Sequence, residues 1–168
     1  MRRLLLPLLL IATAASAQPK QGTSTLELDS SHATVTVTAG GAQGRFQTVA
    51  GALQFDPAKP DASTLALSFD AGSISDAAVR KALDTERFPE LRIASTAIAK
   101  SGTMPMTVTL RDVTRSVIFQ VSFKSTSRTV VTVHAQAILK SSEFHLGGDV
   151  PIVIDAAFNK VEPTTPLP

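Results

Sequence analysis

Histidine titrates nearest neutral pH, so it is the first place to look for chemistry. This chain of 168 residues has three: His32, His134 and His145. No two stand at the spacing that would put a pair of metal ligands on one helix face. His32 comes just before an alternating stretch, and His134 shares the polar parity of its stretch with Thr132 and Gln136. Both read as surface or strand-end histidines. His145 follows Phe144 in a loop segment and is the one placed to reach the mouth of a cavity. The carboxylates are scattered. Asp56, Asp61 and Asp70 fall in turns or strand ends, and Asp84 and Glu86 belong to a short charged segment. No GxSxG elbow, GxGxxG loop, P-loop or HExxH helix occurs, and no nucleophile stands beside a base. The chain has no Cys, which excludes thiol catalysis, Cys-ligated zinc and iron–sulfur clusters. These residues predict a binding protein rather than an enzyme, with no metal and no catalytic residues.

The elements that must position these side chains alternate with period two. ATVTVTA (33–39) sets Ala33, Val35 and Val37 against Thr34, Thr36 and Thr38. GRFQTVAGALQF (44–55) reads as one long strand with a bend or bulge at Gly51. Further strands are predicted at 63–69, 91–99, 106–110, 115–123, 128–139 and 150–158, about eight in all, with helical interruptions at 75–84 and 140–144. Short strands joined by turns, with no room for crossover helices, make an antiparallel all-β domain. Period alone fits either a sandwich or a closed barrel.

The chain opens MRRLLLPLLLIATAASA. Arg2 and Arg3, the apolar run and Ala15-Ser16-Ala17 form a secretory signal pattern over residues 1–17, too short to span a membrane. A polar spacer (18–25), one domain (26–161) and a Pro-rich tail (162–168) follow. Export without disulfides fits a bacterial periplasm. Of the 16 Lys and Arg, Arg2 and Arg3 lie in the signal, leaving 14 against 14 Asp and Glu. With no basic run and no Trp or Tyr to stack on bases, nucleic acid is not an expected partner. Homodimerisation stays open.

The interior is the remaining candidate site. Phe46, Leu53 and Phe55 are apolar positions of one strand, Leu65, Leu67 and Phe69 share the apolar parity of the next, and Val117, Phe119, Val121 and Phe123 that of a third. Ile93 and Ile154 fall on the same parity of their own strands, as does Phe158. Such a set either fills a core or lines a small cavity. Eight strands is near the size at which a barrel can just enclose one ligand.

From Leu26 to Val161 the chain resembles the YceI-like family, the lipocalin-like polyisoprenoid-binding proteins. Asp29 and His32 match its opening, and Gly44, Phe46, Gly51 and Asp56 its second strand. The most specific stretch is VRKALDTERFPELRIAST, where Leu83, Phe88, Pro89, Ile93 and Ser95 match. TLRDVTRSV resembles the family hairpin, with Asp112 at its Gly and Ser116 at its Pro. SSEFH resembles a late Ser-Asp-Phe-Gly motif, with His145 at its Gly. The resemblance implies an antiparallel eight-stranded lipocalin-like β-barrel with a short helix closing one end. It also implies a bound amphiphile of the polyprenyl or isoprenoid-quinone kind. The lumen candidates are then the residues above together with Phe88 and Phe144. Pro89 is expected to stop the helix, and Phe88 to plug the barrel end. The alternative is a filled barrel that works through its outer surface.

Overall fold

The computed structural model describes residues 24–56, 59, 63–95, 102–125, 127 and 129–160. The predicted signal (1–17), most of the spacer, the end of the strand expected to run to 99, and the tail lie outside the described residues.

Among the described residues ten strands form one antiparallel sheet: β1 (Ser24–Leu28), β2 (Thr34–Ala39), β3 (Ala42–Phe46), β4 (Val49–Phe55), β5 (Thr64–Asp70), β6 (Glu90–Ser95), β7 (Thr103–Leu110), β8 (Val113–Ser125), β9 (Val130–Leu139) and β10 (Val150–Lys160). The neighbours run β1, β4, β5, β6, β7, β8, β9, β10, and β10 pairs back onto β1, with Leu28 opposite Phe158. This closes an eight-stranded barrel.

β2 and β3 do not add new staves. β10 pairs with β1 through residues 158–160 and with β2 through residues 152–155. β1 and β2 are therefore one stave broken by a 3-10 turn at Ser30–His32, and β3 and β4 are its broken partner. The expected long strand over 44–55 is thus real but interrupted, and the break lies at Gln47-Thr48, not at Gly51. The Ser73 hydroxyl accepts from both freed amides, Gln47 N–H at 3.1 Å and Thr48 N–H at 2.9 Å. Gly51 stays in register opposite Leu67. Its reason is close approach: a Cβ there would sit 2.5 Å from Leu67 Cδ2 and 2.7 Å from the Ala66 carbonyl oxygen.

Alternation does the burying. Val35, Val37, Leu65, Leu67, Phe69, Met104, Met106, Val108, Phe119, Val121, Ile152, Ile154 and Phe158 all point inward and belong to one buried cluster. Phe46 and Phe69 meet with ring centroids 5.2 Å apart, tilted by 47°, an arrangement aromatic pairs favour.

The two ends of the barrel differ. One collects the β2–β3 turn, helix α1 (Ala77–Leu83), the β7–β8 turn and helix α2 (Ser141–Phe144). α1 starts on Asp76, whose side chain accepts from Val79 N–H at 3.0 Å, a standard N-cap. It buries Val79 and Leu83. It ends at Asp84, in the left-handed region (φ 55°), with Thr85 N–H on Arg80 O and Asp84 N–H on Lys81 O. That is a Schellman stop with Asp in the usual Gly place. The helix therefore ends at Leu83, six residues before Pro89, and the Pro does not stop it. Gly44 lets this cap lie close, since a Cβ there would sit 2.5 Å from Ile74 Cγ2.

Candidate ligand-binding site

The predicted lumen residues mostly gather. Phe46, Leu53, Leu65, Leu67, Phe69, Ile93, Val117, Phe119, Val121 and Ile154 are all buried in the single interior cluster. Met104 and Met106 join them fully buried. Sequence reading passed over both. Met104 lay outside the expected strand, although its alternation with Met106 and Val108 carried the signal.

Phe88 does not belong to this set. It is only half-buried, outside the interior cluster, with the Arg87 guanidinium 5.2 Å above its ring. The early Schellman stop turns the chain through residues 84–87 before Phe88, so the ring emerges along the outer flank. The ring that does reach the interior at this end is Phe144, fully buried on α2. Phe88 is therefore not the plug expected of it, and the buried ring at this end is Phe144, another of the lumen candidates.

His145 also moves. It caps α2 in the left-handed region (φ 54°) and is exposed. The Arg111 side chain donates to the carbonyls of Ala82 at 3.0 Å, Leu83 at 3.2 Å and His145 at 2.9 Å. One guanidinium thus ties the C-termini of both helices together. His145 therefore stands at the covered end, not at an open mouth.

At the opposite end, β4 finishes at Phe55 and β8 runs past Phe123. Both rings keep the inward parity of their strands, yet both are only half-buried against the interior cluster. Ser63 and Ser95, the buried hydroxyls of this end, add polar groups beside them. The Ser63 hydroxyl accepts from Asp56 N–H at 3.2 Å.

A second concave surface, of about 660 Å³, lies outside the barrel over β8, β9, β10 and the Ser30–His32 turn. It brings together His32 and His134, which sequence reading had kept apart. His134 Nδ1 is 2.6 Å from Asp155 Oδ1, and His32 Nδ1 is 2.8 Å from Asp29 Oδ2. Asn159 Nδ2 also donates to Asp29 Oδ2, at 3.2 Å. The hydroxyl of Ser31, with the backbone N–H of the same residue and His32 beside it, holds the Asp29 carboxyl far below its ordinary range. Ser31 Oγ and Asp29 both meet the same nitrogen of His32, at 3.0 and 2.8 Å. A catalytic relay needs nucleophile and carboxylate on opposite ring nitrogens, so this trio is a turn-stabilising network. Among the described residues no group of three His, Asp or Glu side chains is placed to hold a metal ion, and no helix is long and apolar enough to cross a membrane.

The YceI-like domain model matches residues 26–164 of this sequence, most of its length. The chain belongs to the YceI-like domain family. The YceI-like barrel is shared with solved structures of low sequence identity. BcnA of Burkholderia cenocepacia superposes with a TM-score of 0.69 at 18% identity, covering 77% of this chain and 98% of that one. A polyisoprenoid binding domain from Saccharophagus degradans, implicated in plant cell wall breakdown, gives 0.62 at 13%, covering 83% and 100%. The Campylobacter jejuni YCEI protein gives 0.62 at 16%, covering 71% and 85%. At such identities the likeness is one of fold. No curated protein sequence matches the chain significantly.

Proposed function

We propose that this YceI-like protein is an exported, periplasmic binding protein that carries or sequesters an amphiphile with a long isoprenoid-like chain inside its barrel. It works without a catalytic group or cofactor. The observation that carries this reading is the asymmetry of an otherwise continuous apolar interior. Phe144 and two helices cover one end, while Phe55 and Phe123 stand half-buried at the other. A tail entering past those two rings would meet only apolar walls. Each buried methylene contributes about 0.8 kcal/mol, so a long tail needs few polar contacts. The head group would rest at the rim near Ser63 and Ser95. Met104 and Met106 are unbranched side chains that repack easily around a guest. The polyisoprenoid-binding description of the Saccharophagus neighbour supports the class of tail. The signal pattern over residues 1–17 and the lack of Cys support export.

One observation favours a second reading, a filled barrel that acts through its surface. Phe46, Phe69, Phe119 and Phe158 are at most 1% exposed, so their rings must shift for a tail to enter. Organic extraction of protein purified from its native periplasm, followed by mass spectrometry, separates the two. Near-stoichiometric polyprenyl or isoprenoid-quinone lipid is the expected result. A protein that yields no lipid is a filled barrel.

A further inference from the structure

The concave surface outside the barrel, of about 660 Å³, lies in the size range of small-molecule sites. Strand register explains its shape. On the outward face Lys124 stands opposite Thr132, and Thr132 opposite Ala157. One row toward the covered end, Ser122 stands opposite His134, and His134 opposite Asp155. One row toward the open end, Val130 stands opposite Asn159. The short Thr132 and Ala157 therefore make a floor, and longer side chains stand around it. The turn at Ser30–His32 brings Asp29 and His32 up as a further wall. Thr132 spends its hydroxyl proton within the sheet, on the Lys124 carbonyl at 3.1 Å. Val130 and Ala157 keep the floor apolar.

We infer that this outer hollow binds a small organic anion, its apolar body on the floor and its oxyanion group on the polar wall. The hydrogen-bonding capacity left free decides the sign of the ligand. Both carboxylates are already engaged. Asp29 accepts from the N–H and the hydroxyl of Ser31 and from Asn159, and it also meets His32 Nδ1. Asp155 meets His134 Nδ1 at 2.6 Å. An ionised carboxylate can only accept, so each ring carries a proton on Nδ1 and keeps Nε2 free. Among the described residues the Ser122 hydroxyl and the Lys124 ammonium have no partner. The hollow thus offers an unpaired ammonium, a hydroxyl and two Nε2 atoms. Nε2 accepts in the neutral ring and donates in the protonated one. A neutral imidazole leaves the negative charge of its carboxylate facing the anion. A protonated one cancels that charge and leaves Lys124 unopposed. Glu27 on β1 and Arg45 on β3 are flanking charges of opposite sign, and neither lines the hollow. Anion binding is therefore coupled to proton uptake and strengthens as pH falls. Asp29, held far below the ordinary carboxyl range by Ser31 and then His32, keeps its charge throughout.

The site is independent of what the lumen holds. Isothermal titration calorimetry with p-toluenesulfonate tests it, because a sulfonate keeps one charge across the range used and its ring suits the floor. Wild type should bind at about pH 5.5 and about tenfold more weakly at about pH 8, since histidine changes charge between those values. Buffers of different ionisation heat should report protons taken up on binding. Lys124→Gln should weaken binding about fivefold, the most that an exposed charge contributes. His134→Asn keeps a donor near the Nδ1 position, and it should both weaken binding and flatten its pH dependence. Lys81→Gln removes a charge from α1, away from the hollow, and should behave as wild type. Wild type that binds no sulfonate at about pH 5.5 overturns the inference. So does binding of equal strength at the two pH values, or binding that the Lys124 and His134 variants leave unchanged.

Discussion

Arg111 donates from its Nε to the carbonyl of Leu83 at 3.2 Å, joining the β7–β8 turn to the last residue of α1. The same side chain reaches Ala82 and His145 with its other nitrogens. One side chain thus bridges the C-termini of both helices at the covered end, and Arg111 itself sits in the left-handed region (φ 58°). Hydrogen bonds from a charged donor are worth about 1.5–3 kcal/mol. Arg111→Ala should lower the urea-derived stability by about 2–4 kcal/mol. Arg111→Lys should recover only part, because an ammonium cannot match the planar fork. Arg111→Gly should cost less than Arg111→Ala, since glycine tolerates the positive φ.

Phe88 and Phe119 should separate sharply. Truncating a fully buried Phe costs about 3–5 kcal/mol. Phe119→Ala should fall in that range. Phe88→Ala should cost under about 1 kcal/mol, because its ring lies half in solvent under Arg87. Chemical denaturation of the two variants side by side checks this, and equal losses would contradict the placement of Phe88.

That contrast marks how far the sequence could be read. Alternation alone located the inward faces of β5, β8 and β10, because one buried face forces period two. It left 44–55 as one strand, although the inward parity slips between Phe46 and Val49, where Gln47 and Thr48 are both exposed and their amides turn to Ser73. It placed the helix near 75–84 but chose the wrong stop. Pro89 is a visible signal, whereas the Schellman turn at Asp84 depends on a left-handed residue that is usually Gly. The meeting of His32 with His134 across β10 rests on register between distant strands, which no local pattern carries.

Close approach at two glycines gives a further prediction. Gly44→Ala presses on Ile74 Cγ2, a side-chain end able to rotate away. Gly51→Ala presses on Leu67 Cδ2 and also on the backbone oxygen of Ala66, which is fixed in the ladder. Overpacking costs about 1–3 kcal/mol. Both variants should melt lower than wild type, with Gly51→Ala the lower of the two in a thermal scan.

The network around Asp29 fixes a pH response. Ser31 first, and then His32, lower this carboxyl from its ordinary 3.8. A depressed folded pKa stabilises the fold above the unfolded value and loses that contribution as pH falls through the folded one. Glu90 beside Arg92 and Asp149 beside Lys140 shift in the same direction. Stability should therefore hold constant in these groups down to about pH 5 and decline below about pH 4. Asp29→Asn should flatten part of that decline. Carboxyl NMR titration should show Asp29 still ionised where exposed Asp residues are protonated.

The central claim is that the lumen accepts an apolar tail, and titration with a fluorescent polyprenyl ligand tests it most directly. Wild type should bind saturably. Phe119→Asp, once circular dichroism confirms it is folded, should lose most of that binding, because a carboxylate in an apolar lumen must either take up a proton or admit water. Ala66→Phe, on the exposed outer face of β5, should bind as wild type does. Wild type that binds nothing, or a folded Phe119→Asp that binds equally well, would contradict the account.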